Sequence, residues 1–128
     1  MCIYMFKEVN IMTSPKTLFL YLNEHYSAKA EYLFDKHPEF AVFRHFTNKK
    51  WFALFMPVEG DKLGLSGKEM KNVLNLKLPP ELIDGLRQSE GFYPAYHMNK
   101  QHWLSVDLDK IEMAELLPLI EQSYQLTK

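Results

Sequence analysis

Two clusters of basic, amide and aromatic residues carry the chemistry open to this chain. The first is Arg44, Asn48, Lys49 and Lys50, followed by Trp51. The second is Tyr96, His97, Asn99, Lys100, His102 and Trp103, with Lys77 between the two in the chain. Lysine and arginine neutralise phosphates, amides and imidazoles hydrogen-bond, and Trp and Tyr stack on bases. The combination points to DNA. From residue 44 to residue 77 the charge balance is +4, while the rest of the chain carries −5. The overall charge of −1 argues against a binder held by global charge and leaves a local patch as the route. The plainer reading is that each lysine is simply solvated and the tryptophans cover a core. Exposed aromatics beside polar tips also suit a protein-interaction module, the alternative to DNA binding.

Other chemistries fit less well. His97 and His102 read as cross-strand neighbours, with His45 elsewhere, but no cysteine or tight ligand motif accompanies them. No metal and no cofactor is expected. Gly67-Lys68 is not a phosphate loop: Lys62 stands five positions before Gly67, and Glu69, not Ser or Thr, follows the lysine. Ser66, Ser89, Ser105 and Ser123 lie in no nucleophile motif. On a strand, His102 faces away from Ser105 and Asp107, which disfavours a triad. The chain is read as non-catalytic.

The elements that must hold the two clusters are hairpins. Residues 94–108, PAYHMNKQHWLSVDL, place two aromatic runs around an Asn-Lys-Gln tip, and Asn99 suits the left-handed backbone of a tight turn. With Asn99 and Lys100 at the centre, His97 pairs with His102 and Tyr96 with Trp103. Tyr96 and Trp103 then share one face, and His97, His102, Leu104 and Val106 the other. Residues 41–46 and 50–56 form the other hairpin, whose Asn48-Lys49 tip and returning Trp51 echo the first. Residues 73–78 read as a middle strand, with Leu74, Leu76 and Leu78 on one face.

Helices flank these strands. Ser14-Pro15 is a start signal for a helix over 15–26, on whose stripe His25 reads as a core-edge histidine. Pro79-Pro80-Glu81 opens a second helix to about residue 89, with Gly91 as its terminator. A last helix spans about 109–126, with Pro118 predicting a kink or a late regular start. The expected fold is α+β: an antiparallel sheet of two hairpins plus a middle strand, with helices packed on one face.

The 128 residues fit a single domain, 1–128, with 1–12 either an added strand or an accessory extension. An apolar fraction of 47% is enough for a core. The lone cysteine, Cys2, allows no internal disulfide, and no run approaches the ~20 apolar residues of a membrane span. A cytoplasmic monomer is expected.

Five runs stand out from Glu31 onward: EYLF (31–34), KWFAL (50–54), LNLKLPPEL (74–82), PAYHMNKQHWLSVDL (94–108) and SY (123–124). In these the chain resembles the MmcQ/YjbR family of small bacterial proteins. It implies a frataxin-like (CyaY-like) fold and a double-wing DNA-binding motif, in which the wings would be the two hairpins. It implies no catalytic residues. The chain departs from the family pattern at Leu33, usually Pro, and Asp35, usually Gly. It also lacks the glycines of the first tip, and Gln101 stands where Arg is common. The last change removes a charge from the second tip.

Overall fold

The computed structural model describes residues 13–128. The suggested strand or extension at residues 1–12 lies outside the described residues.

Helix α1 (Pro15–Tyr26) starts as its sequence demands. Ser14 is extended, its hydroxyl accepts the Thr17 N–H at 3.2 Å, and Pro15 occupies the first turn. The helix ends where Ser27 turns left-handed. Its apolar stripe buries Leu18 and Leu22. His25 is exposed, its ring stacked on Tyr21 at 5.0 Å, so it lies off the core edge assigned to it.

Five strands follow: β1 (Ala41–Arg44), β2 (Trp51–Glu59), β3 (Met70–Lys77), β4 (Phe92–Pro94) and β5 (Trp103–Asp107). They form one antiparallel sheet in the order β1-β2-β3-β5-β4. A short 3-10 turn, Gly60–Leu63, follows β2, and α2 (Pro80–Leu86) joins β3 to β4. Helix α3 (Met113–Thr127) closes the chain.

Strand alternation divides the sheet into two faces. Leu74 and Leu76 of β3 join Leu104 and Val106 of β5 on the face that all three helices cover, through Leu18, Leu22, Ile83, Leu116 and Ile120. The other face carries Val42, Leu54, Met56, Val58 and Val73, and loops cover it, through Phe34, Phe40, Leu63 and Met98. Helices therefore pack on one face only, and the sheet remains buried on both.

Several boundaries differ from the sequence reading for local reasons. Helix α2 stops at Leu86, with Arg87 still right-handed, so Gly91 is not its terminator. Gly91 instead runs at φ +94°, and a side chain there would meet Lys110 Cβ at 2.7 Å. Its carbonyl accepts the Asp107 N–H at 2.8 Å. Helix α3 begins at Met113 and carries Pro118 inside it. Pro118 and Ala114 are both exposed, so the carbonyl four residues before the proline, robbed of its donor, can bond to water instead.

Candidate nucleic-acid interface

Both hairpin tips emerge at one end of the sheet. Strand β2 starts there, β5 starts there, and β3, which lies between them, ends there at Lys77. Two inter-strand spacings, about 10 Å, separate β2 from β5. Lys77 and Trp103 are directly paired, as are Arg44 and Trp51. Each returning tryptophan thus has a cation opposite it.

A bulge sets which way the first tip points. The β1–β2 register runs Phe43↔Ala53 and then Arg44↔Trp51, leaving Phe52 as the extra residue. Phe52 and Ala53 both turn to the helix face, and Trp51 goes to the loop face. Lys77 shares that face by alternation with Val73, and Trp103 follows as its pair. Trp51, Lys77 and Trp103 are all half-buried.

The first tip spans residues 45–50 and is closed by the His45 N–H bonding to the Lys50 carbonyl at 2.9 Å. Lys49 sits at φ +64°, and its ammonium lies 5.1 Å from the Phe46 ring centre. Lys49 and Lys50 are exposed. Asn48 is not a free contact: its Oδ1 accepts the Lys50 N–H at 2.8 Å and its Nδ2 donates to the Thr127 carbonyl at 3.0 Å. Arg44 is also committed, donating to both Glu31 oxygens at 2.7 and 2.9 Å. That carboxylate raises the guanidinium pKa further. Behind the tip, buried His45 meets the Thr127 hydroxyl at 2.7 Å, and burial lowers its pKa.

The second tip is not the tight hairpin expected. Pro94 pairs with Leu104 and Tyr93 with Ser105, so residues 95–102 form an eight-residue loop. Tyr96 is not opposite Trp103, and His97 is not opposite His102. The left-handed residue is His97, at φ +63°, not Asn99. The physical reason is that the loop folds back over the sheet. Ala95 is buried, and Tyr96 and Met98 pack on the loop-face core. Asn99 builds the turn by accepting the Gln101 and His102 N–H groups at 2.8 and 3.1 Å. The echo between the tips is therefore real as chemistry: each asparagine side chain closes an Asx turn. Lys100 and His102 are exposed.

Of the eleven residues marked by sequence, the structure gathers Lys49, Lys50, Lys77, Lys100, His102 and Trp103 at the sheet end. It gives Arg44, Asn48 and Asn99 structural partners, and it assigns Tyr96 and His97 to the loop face. None of Lys49, Lys50, Lys77 and Lys100 has a carboxylate within 4 Å among the described residues. Among those residues no group of three His, Cys, Asp or Glu could hold a metal, and no helix is long and apolar enough to cross a membrane. Sequence reasoning missed Glu31 and Ser123. Both left a trace, Glu31 in the EYLF run and Ser123 in the SY pair.

Comparison with known proteins agrees with this architecture. The YjbR family profile matches residues 23–126. The YyaQ protein of Bacillus subtilis is 43% identical over 118 residues, covering 91% of this chain and all of that protein. The YjbR protein of Escherichia coli K12 is 38% identical over 79 residues, 59% of this chain and 66% of that one. A Pseudomonas syringae crystal structure superposes with a TM-score of 0.88 at 41% identity, over 91% of this chain and 100% of that one. A Deinococcus radiodurans crystal structure gives 0.66 at 30% identity, over 90% and 78%.

Proposed function

This chain belongs to the YjbR family, and from that premise we propose that it is a non-catalytic DNA-binding protein using the sheet end where both hairpin tips emerge. One observation carries the reading. Lys49, Lys50, Lys77 and Lys100, none with a carboxylate partner among the described residues, lie on the strand ends and loops at the end of the sheet where Trp51 and Trp103 begin their strands. The lysines meet phosphates, and Trp51 and Trp103 supply stacking surface. The frataxin-like, double-wing description belongs to the same reading, as does a monomer acting in the cytoplasm. The helices confined to one face of an antiparallel sheet support the first of these.

Fluorescence anisotropy across a salt series tests it. Four phosphate contacts give a log–log slope of about −3.6 on duplex and about −2.8 on a single strand. Changing Lys49, Lys50 and Lys100 together to Glu abolishes binding. Absence of binding by the unaltered protein at low salt overturns the proposal.

One observation favours a protein partner instead. Phe46, on the edge hairpin, is 79% exposed, and an exposed aromatic of this kind suits an interface anchor. A stoichiometric partner that resists nuclease and is lost in Phe46→Ser would support that reading.

A further inference from the structure

The loop face of the sheet is not completely filled. Phe34, Phe40, Trp51, Met56 and Met98 line a cavity of about 310 Å³. The hollow opens to solvent past exposed side chains, and an apolar wall of this kind gains by excluding water when a ligand covers it. Phe34 meets Phe40 and Trp51 edge-on, each at 5.9 Å between ring centres, which fixes the aromatic wall. The two methionines are adaptable and make favourable contacts with aromatic rings.

Two imidazoles complete the wall, and each comes from a different loop. His37 lies flat against Phe40 at 4.4 Å, and His97 sits on Tyr96 at 3.9 Å. Their ring centres are 6.3 Å apart. Both residues are exposed. Among the described residues, neither ring has a hydrogen-bond partner or a carboxylate within 4 Å.

The protein holds His97 in place at a cost. A left-handed backbone is unfavourable for a residue with a side chain and persists only where its surroundings over-determine it. Here they do. Tyr96, the residue before it, donates its N–H to the Ser105 hydroxyl at 3.0 Å. Its carbonyl accepts from Asn75 Nδ2 at 3.0 Å. The Ser105 hydroxyl donates in turn to Asn75 Oδ1. Asn75 and Ser105 are fully buried in the middle of the sheet, and this closed ring fixes both backbone groups of Tyr96.

We propose that this cavity binds a small aromatic carboxylate. Its apolar body lies against the part-exposed Phe34, Trp51 and Met98, over Phe40 and Met56 beneath them, and its carboxylate sits between His37 and His97. Size and charge both select this class. A hollow of about 310 Å³ lies at the small end of ligand pockets, which suits a body of one or two rings. Two imidazoles with free ring nitrogens offer N–H donors to an anionic head, and two alone are too few to make a metal site. The cavity shares Trp51 with the DNA interface but none of its lysines, so the lysine variants and the histidine variants separate the two sites.

Titration of the protein carrying methyl-labelled methionines with naphthoate, followed by NMR, tests the site. Saturable shifts are expected at Met56 and Met98, with Met70 and Met113 as internal references. Naphthamide, which has the same rings without the charge, binds roughly tenfold more weakly, as expected on losing a charge-assisted hydrogen bond. Replacing both exposed imidazoles, His37→Ala with His97→Ala, removes the donors and brings naphthoate down to the naphthamide level. Met98→Trp fills the cavity and abolishes both. No saturable shift with naphthoate, shifts confined to Met70 or Met113, or equal binding of the two compounds overturns the proposal.

Discussion

Ser123 on α3 accepts the backbone N–H of Lys77 at 2.9 Å and donates to the Phe52 carbonyl at 2.6 Å. The β2–β3 register runs only as far as Ala53↔Leu76, because the bulge displaces Phe52. A single buried hydroxyl thus replaces the missing ladder bond and ties the last helix to the strand that ends in Lys77. Ser123→Ala leaves a buried donor and a buried acceptor without partners, a loss of about 1–3 kcal/mol for each. Chemical denaturation should show a drop of about 2 kcal/mol or more, and Ser123→Thr should recover less than full stability because the added methyl crowds a closed site.

Asn48 pins the first tip to the end of α3 through its bond to the Thr127 carbonyl. Asn48→Ala removes that bond and the Asx turn together. The expected outcome is a loss of about 1 kcal/mol, read by thermal melting, with the salt slope for DNA unchanged, since no phosphate contact is removed. A changed slope would return Asn48 to the contact surface.

Arg44 gives the opposite test. Its guanidinium is neutralised by Glu31, so the DNA reading does not count it among the cations. Glu31→Gln frees it. DNA affinity at low salt should rise and the salt slope steepen by about 0.9, one additional phosphate contact. Stability should change little, because half-exposed ion pairs contribute little.

The sequence made the elements legible because their signals are local. The Ser14-Pro15 start, the alternation of 73–78 and the two Asn-Lys turns all act within a few residues. What escaped it acts over distance. Glu31 reaches Arg44 because an isolated bridge, Glu31↔Val42, lays the connector along the sheet edge. Asn48 finds a partner 79 residues away. Local signals put the second hairpin out of register, because residues 95–102 cover the loop face rather than turn tightly, held there by the buried Asn75–Ser105 pair. They also count Arg44 as a free cation, since its partner Glu31 is brought to it only by the fold.

Asp107 and His45 should make stability depend on pH in opposite senses. Asp107 is fully buried with Oδ2 unpartnered among the described residues, while Oδ1 accepts the Asp109 N–H at 2.9 Å. Burial raises its pKa, so the folded state holds the proton more firmly than the unfolded chain. Its contribution is fully present below the ordinary carboxyl value of about 3.9 and is lost as pH rises through the raised one. His45 is the reverse. Burial lowers its pKa, so its contribution is present above about 6.5 and is lost as pH falls through the depressed value. Asp107→Asn keeps the acceptor for Asp109 and removes the buried charge, so it should gain on the unaltered protein as pH rises from about 3.9 through the raised value. His45→Gln should gain on it in the opposite direction, as pH falls below about 6.5. Urea denaturation of the three proteins from about pH 4 to about pH 7 checks the signs, and parallel curves for all three would show that neither group's pKa differs between the folded and unfolded states.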